Sequence, residues 1–162
     1  MVDVLNDWER MKWWEDVVGS ELEASDGSIV KAEEVLYNKV VVLYFSAKWC
    51  PPCKVLTPLL RNLYLDEVKK VKLPVEVIFV SSDTDKEEMR NYFKEEQPDW
   101  YAVPFDAEGA DELLKRFEID SVPALVVMGR DGKIVTSDGK REIVKKQGKV
   151  FAEWVAADGH SR

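Results

Sequence analysis

The sequence predicts an α/β protein with a central mixed β-sheet flanked by helices. Two nearly continuous apolar runs, at residues 39–46 and 75–80, are typical of strands covered on both faces. Helix-like segments alternate with these runs, and a hairpin and a helix close the chain. At 162 residues the chain has the length of one domain, and neither a linker-like nor a repeated segment interrupts it.

The N-terminal segment has the apolar spacing of an amphipathic helix. Its large apolar residues recur every three or four positions: Val4, Trp8, Met11, Trp14 and Val18. We expect this stripe to pack on the core and Trp13, which lies off the stripe, to be exposed. We therefore predict a helical extension over residues 1–20 and the main domain over residues 21–158.

Turn signals and apolar runs define the elements that follow. A hairpin is predicted over residues 21–30, because Asp-Gly at 26–27 is a strong turn dipeptide. A short helix at 31–38 leads into the first central strand. A longer helix then runs from the cysteine pair to about residue 70, ahead of the second central strand.

The second half continues the alternation of helices and strands. Thr84 or Asp85 is suited to cap a helix, whereas residues 100–105 suggest a loop or a short extended piece. Further predicted elements are a short helix at 110–117, a strand at 124–128, a returning strand at 133–137 and a last helix at about 147–157.

Composition argues against several partners. The net charge of −8 disfavours nucleic acid, which attracts basic surfaces, and weakly disfavours an anionic membrane. The N-terminus lacks a signal-peptide pattern, and no apolar run approaches the roughly 18 residues of a membrane span. The longest basic cluster, at residues 69–72, is thin for a nuclear signal. These features predict a cytoplasmic location, with the nucleus as a further alternative.

The cysteines carry the predicted chemistry. Cys50 and Cys53 are the two cysteines of the chain, separated by Pro51 and Pro52 at a strand-to-helix junction. A thiol there meets free backbone N–H groups and the positive end of a helix dipole. Such a site lowers a cysteine pKa from about 8.5 to roughly 3.5–7.5, and the thiolate is the reactive form. In a reducing compartment the pair would cycle between dithiol and disulfide.

The order of the motif predicts a role for each thiol. Cys50, at the helix start and expected to be exposed, attacks a substrate disulfide. Cys53, one turn further in and more buried, then attacks Cys50 and releases the substrate. An external dithiol or reductase restores the dithiol form. This cycle needs neither a cofactor nor a metal.

Neighbouring side chains add candidates with two interpretations each. Trp49 is either an aromatic wall that shields the thiolate and contacts substrate, or part of the core. Lys48 and Lys54 either favour the thiolate by their charge or are simply solvated. Pro51 and Pro52 restrict the backbone between the thiols, and we include both with Trp49 among the substrate-binding candidates.

Four segments of the sequence, taken together, resemble the thioredoxin fold and, more closely, tryparedoxins and nucleoredoxins. The matching segments are Tyr-Phe-Ser-Ala-Lys-Trp-Cys-Pro-Pro-Cys at 44–53, Phe-Val-Ser-Ser-Asp at 79–83 and Trp-Tyr-Ala-Val-Pro-Phe at 100–105, with Lys54, Pro58 and Val122-Pro123. The resemblance covers about residues 22–154. It implies a thioredoxin-like domain that reduces protein disulfides in cell redox homeostasis.

The resemblance also assigns residues beyond the cysteine motif. It implies that Pro123 is preceded by a cis bond and faces the cysteines, so that Val122 offers backbone hydrogen bonds to an extended substrate segment. Typical thioredoxins carry a buried aspartate where this chain has Tyr44, and tyrosine is a poor base near neutral pH. The proton acceptor for Cys53 is therefore open, with water and Asp83 as alternatives.

Three rival interpretations remain. The protein could be a redox-dependent binding module with little turnover, as nucleoredoxin-like proteins suggest. A metal site would need four ligands, and the chain adds only His160 to the two cysteines unless a dimer shares the metal. A peroxidase using Cys50 alone is disfavoured by the nearby Cys53.

Overall fold

Across the residues that the structure describes, a seven-stranded mixed sheet forms the centre of the protein. The computed structural model describes residues 12–160, with side chains up to residue 158. The strands are β1 (Glu21–Glu23), β2 (Ile29–Lys31), β3 (Val40–Ser46), β4 (Val75–Ser81), β5 (Tyr101–Ala102), β6 (Ala124–Met128) and β7 (Ile134–Thr136). Their order across the sheet is β2-β1-β5-β4-β3-β6-β7. The β3–β4 and β4–β5 pairs are parallel and the others antiparallel, which confirms the mixed sheet.

Helices cover both faces of this sheet. They are α1 (Trp14–Val17), α2 (Ala32–Leu36), α3 (Pro51–Tyr64), α4 (Lys86–Glu96), α5 (Ala107–Arg116), α6 (Gly139–Lys146) and α7 (Lys149–His160). A π-helical turn, Leu65–Lys69, extends α3. One apolar core joins the sheet to α3, α4, α6 and α7, and a second core joins it to α1, α2 and α5.

The first central strand explains why its sequence lacks the usual polar alternation. All seven residues of β3 are buried, because it lies between β4 and β6 with a core on each face. Val42 and Tyr44 point into one core, whereas Leu43 and Phe45 point into the other. The carboxyl end of β3 is thereby held in place, and the chain leaves it directly for the cysteine pair.

The N-terminal segment departs from the predicted pattern. Trp13 was expected to be exposed, but only 9% of it is accessible. The reason is the β6–β7 turn: Trp13 packs so closely on Gly132 that a Cβ there would lie 2.5 Å from Trp13 Cβ. The described part of the predicted stripe, Trp14 and Val18, is buried, and its earlier members lie outside the described residues. The boundary between residues 20 and 21 stays a prediction.

Most other predicted elements are confirmed, with two differences at the C-terminal end. The hairpin around residues 26–27 is present, and Asp85 caps α4 through a bond from Glu88 N–H. Helix α6 was not predicted, because its sequence is mostly charged and Ile143 is its one large buried side chain. The last helix begins and ends slightly later than expected. Among the described residues, no helix is both long and apolar enough to cross a membrane.

Candidate active site

The two cysteines lie at the first turn of α3 and are joined as a disulfide. Their Cα atoms are 5.2 Å apart. Cys50 is the N-cap residue, with extended backbone, and Pro51 and Pro52 take the first two helical positions. Proline suits these positions, since its ring presets φ and its missing N–H would have no helical partner there. The sequence thus starts the helix directly at the first cysteine.

One backbone donor reaches the Cys50 sulfur. Cys53 N–H donates to Cys50 Sγ at 3.2 Å, while Lys54 N–H donates to the carbonyl oxygen of Cys50. Because both intervening residues are prolines, the first three helical positions supply a single N–H group. Once the disulfide is reduced, the local groups available to stabilise a Cys50 thiolate are the Cys53 N–H and the helix dipole.

Cys50 is buried in this disulfide state, so the expectation that its side chain is exposed is wrong here. Only 3% of Cys50 is accessible, because it packs with Ala47, Cys53 and Val122. Cys53 is fully buried, in agreement with the predicted order of depth. Both cysteines are therefore shielded from solvent in the disulfide state.

The segment before β6 packs against the cysteine pair through Val122. The Val122–Pro123 peptide bond is cis, as the resemblance implied. Antiparallel pairing of Phe45 with Ala124 brings this segment beside the end of β3. As a result, the carbonyl oxygen of Val122 lies 3.6 Å from Cys50 Sγ. Its proposed hydrogen bonding to substrate stays a prediction.

Trp49 forms the exposed rim next to the disulfide. The side chain is 57% exposed, which excludes the core-packing interpretation. Its Nε1–H donates to the carbonyl oxygen of Ser82 at 3.0 Å, and Ser82 N–H donates to the carbonyl oxygen of Ser46. The indole is thus anchored at one edge while its ring remains accessible. Pro51 and Pro52 are exposed beside it.

Asp83 fixes the loop that precedes Cys50. Its Oδ1 accepts a hydrogen bond from Lys48 N–H at 2.7 Å, and its Oδ2 accepts one from the Ser81 hydroxyl at 2.6 Å. Burial raises the pKa of this carboxyl above its usual range. These bonds connect Asp83 to the loop before Cys50. Asp83 and water stay the two predicted alternatives for the proton acceptor of Cys53.

Four buried hydroxyl groups form a cluster one helical turn beyond Cys53. Thr57 Oγ1 lies 2.6 Å from the hydroxyl oxygens of both Tyr44 and Tyr92, and the Tyr92 hydroxyl lies 2.6 Å from Ser46 Oγ. Burial raises the pKa of both tyrosines, so they stay protonated near neutral pH. The aspartate position of typical thioredoxins is therefore filled by a neutral hydroxyl group that ties β3 to α3 and α4.

The two flanking lysines differ in their contacts. Lys54 forms an ion pair with Glu96 on α4, and its ammonium lies 5.4 Å from the centre of the Tyr92 ring. The Glu96 carboxylate therefore offsets the charge of Lys54, which weakens its effect on the thiol. Lys48 is half-buried and contributes its backbone N–H to Asp83. Across the described residues, no group of three or more histidine, cysteine or carboxylate side chains is arranged to hold a metal.

Comparison with known proteins agrees with this geometry. Residues 38–134 match the family model described as Thioredoxin-like, and a tryparedoxin from Trypanosoma brucei brucei is 34% identical over 76% of this chain and 79% of its own length. The chain belongs to the thioredoxin-like family of tryparedoxins and nucleoredoxins. Membership places it in an oxidoreductase family and supports the predicted fold.

Two further relatives are much longer than this chain, so the similarity covers only part of each of them. A probable nucleoredoxin 1 from Arabidopsis thaliana is 36% identical over 74% of this chain, and bovine nucleoredoxin is 34% identical over 84% of it. The chain spans only 20% and 31% of these two proteins. Among solved structures, tryparedoxin II from C. fasciculata gives a TM-score of 0.76 at 29% identity, over 84% of this chain and 90% of that one.

Some features of this tryparedoxin-like site were not foreseen. Thr57 follows Cys53 by one helical turn, and its spacing alone could have placed it on the same helix face. The contribution of Tyr92 could not be foreseen, because it depends on how α4 packs across the sheet. The anchoring of Trp49 by Ser82 likewise depends on the neighbouring strand.

Proposed function

We propose that this protein is a thiol–disulfide oxidoreductase that reduces protein disulfides through Cys50 and Cys53. The observation that carries the proposal is the hydrogen bond from Cys53 N–H to Cys50 Sγ at the start of α3. This contact stabilises negative charge on the outer sulfur, which is the condition for nucleophilic attack. The family relatives and the closed Cys50–Cys53 disulfide support the same chemistry.

In the proposed cycle, the Cys50 thiolate attacks one sulfur of a substrate disulfide. The substrate S–S bond breaks, one substrate thiolate leaves, and a mixed disulfide forms on Cys50. Cys53 loses its proton and attacks Cys50 Sγ, which expels the second substrate thiolate. Two electrons pass to the substrate, and an external dithiol then supplies two electrons to restore Cys50 and Cys53.

The groups that surround the disulfide suit an extended protein segment. Trp49 offers an accessible ring, Pro51 and Pro52 offer exposed apolar rings, and Val122 offers backbone atoms beside the sulfur. We therefore propose disulfide-containing proteins as substrates. A cytoplasmic location, where a dithiol or reductase donor is available, fits this role and stays part of the proposal.

A second candidate function is a redox-dependent binding module with little turnover. The low exposure of Cys50 together with the large exposed surface of Trp49 favours this alternative. In that case the exposed ring docks a partner in one oxidation state.

Reduction of insulin disulfides with dithiothreitol as donor separates the two functions. If the protein is an oxidoreductase, the wild type should turn over insulin, and the Cys50→Ser and Cys53→Ser variants should not. Cys53→Ser should additionally retain substrate as a mixed disulfide on Cys50, visible on a non-reducing gel. A wild-type protein without turnover, or a Cys50→Ser variant with full turnover, would refute the assignment.

A further inference from the structure

A concave site lies at the end of the sheet opposite the disulfide. A cavity of about 390 Å³ opens near the amino ends of β3 and β4. Cys50 follows the other end of β3, and a seven-residue strand spans about 20 Å. The cavity is therefore separate from the proposed active site.

Three lysines from separate positions line this cavity in a protein whose net charge is −8. Lys39 precedes β3, Lys69 ends the π-helical turn and Lys72 lies in the loop before β4. Apolar side chains complete the wall: Val68, Leu73, Pro74 and Val75. The lysines are therefore the cationic groups of the lining, and the apolar side chains form the surface between them.

The negative charge of the one carboxylate that lines the cavity is largely offset by hydrogen bonds and a nearby ammonium group. Glu76 is buried, and its Oε1 accepts hydrogen bonds from the Tyr64 hydroxyl at 2.6 Å and from Val77 N–H at 3.1 Å. The Lys39 ammonium lies 3.8 Å from Glu76 Oε2. Within residues 12–160, Lys69 and Lys72 form no ion pair. Lys69 also acts electrostatically on Glu76, but three lysines face one carboxylate, so the lining of the cavity keeps a net positive charge.

The backbone that presents these lysines is irregular. The Leu65–Lys69 turn is π-helical, a geometry that occurs frequently at functional sites. Lys72 has a φ of 58°, a left-handed conformation that is uncommon for residues other than glycine or asparagine. Lys69 also lies 5.7 Å from the centre of the Tyr64 ring, which holds its ammonium over the cavity wall.

We propose that this cavity binds a soluble multivalent phosphate. Lysine ammonium groups are point-charge donors to phosphate oxygens. Lys39, Lys69 and Lys72 line the cavity from three positions in the chain, so more than one ammonium group is available to a ligand with several oxyanion oxygens. Asp66 and Glu67, which belong to the same turn, do not line the cavity.

The test uses the full chain and inorganic pyrophosphate as the probe, with chloride at matched ionic strength as the reference. Amide chemical shifts would be followed by NMR, and affinity by calorimetry. We expect saturable pyrophosphate binding with shifts centred on the loop at residues 70–75, and weaker binding as salt is added. The double variant Lys69→Gln/Lys72→Gln should weaken binding about tenfold or more.

A matched control removes the same charge elsewhere. Lys70→Gln/Lys94→Gln changes two lysines that do not line the cavity, and should keep the affinity within about twofold. Insulin reduction should be unchanged in both double variants, because the cavity is distant from Cys50. Absence of saturable binding, or equal weakening in the two double variants, would overturn the proposal.

Discussion

Trp49 donates its indole N–H to the carbonyl oxygen of Ser82 at 3.0 Å while more than half of the side chain stays exposed. The bond fixes the edge of the ring, and the ring belongs to the residue directly before Cys50. An exposed ring that is held in one orientation loses little conformational entropy when a partner packs on it. This arrangement is suited to substrate contact rather than to stability.

Replacing Trp49 by alanine should reduce catalysis without unfolding the protein. Tryptophan side chains at the centre of interfaces cost about 2 kcal/mol when truncated, which corresponds to a loss of roughly 30-fold in kcat/KM. We expect the loss to appear mainly in KM for a protein disulfide. Unfolding by urea should change by less than about 0.5 kcal/mol.

Tyr37→Ala is the control for the loss of an exposed aromatic ring. Tyr37 is 52% exposed and precedes β3 at the end away from the cysteines. The kcat/KM of the Tyr37→Ala variant should match that of the wild type. Equal kcat/KM values for the Trp49→Ala and wild-type proteins would rule out substrate contact by this ring.

The hydroxyl cluster should contribute measurably to stability. Thr57→Val removes the hydroxyl that links Tyr44 to Tyr92, so each buried phenol loses one hydrogen-bond partner while Tyr92 keeps its contact with Ser46. The expected loss is about 1–3 kcal/mol in the free energy of unfolding, measured by urea denaturation. Thr84→Val, at an exposed position, should change it by less than about 0.5 kcal/mol. Equal stabilities of the two variants would contradict the assigned bonding.

Asp83 should make the protein less stable as the pH rises. Burial raises its pKa in the folded protein above the ordinary value of 3.8, so the folded state binds the proton more tightly than the unfolded chain. The associated stability is complete below that ordinary value and is lost as the pH rises through the folded pKa.

Asp83→Asn should therefore flatten the pH dependence of unfolding while preserving a hydrogen bond from Lys48 N–H. The measurement is urea denaturation of both proteins from about pH 4 to about pH 8. The wild type should lose more stability than the variant over this range. Parallel curves for the two proteins would show that this carboxyl does not titrate abnormally.

Alanine substitutions at two glycines, Gly132 and Gly27, test the contact between Trp13 and the β6–β7 turn. Gly132 and Gly27 both have positive φ, at 86° and 88°, so an alanine is strained at either position. A Cβ at Gly132 would also collide with Trp13, whereas one at Gly27 meets no atom within 4 Å. Gly132→Ala should thus destabilise the protein by about 1–3 kcal/mol more than Gly27→Ala, by the cost of overpacking.

Thermal or urea unfolding of these two variants provides the comparison. A larger loss for Gly132→Ala would confirm that Trp13 is docked on the turn in solution. Equal losses would mean that the segment around Trp13 does not pack there.

Local signals were sufficient for most of the fold. The apolar run of β3 predicted a strand covered on both faces, and the dipeptide at 26–27 predicted the hairpin turn. Helix α6 lacked such a signal, since one buried residue, Ile143, gives no periodicity. Trp13 was misassigned because its burial comes from a turn more than a hundred residues away.

The site shows the same division between local and tertiary information. The spacing of Cys50 and Cys53 located the helix start, and the two prolines explain why a single N–H reaches the sulfur. The burial of Cys50 could not be read from the motif, because one covering residue, Val122, comes from a segment about seventy residues further along the chain. Contacts between strands and helices far apart in sequence leave no local trace.

The most direct test of the proposed chemistry is the thiol pKa of Cys50, measured by the ultraviolet absorbance of the thiolate in the Cys53→Ser variant. Backbone stabilisation at the start of α3 predicts half-ionisation well below about 8.5, the value of a free cysteine. A midpoint at or above that value would contradict the account, because the sulfur would then lack the charge that disulfide attack requires.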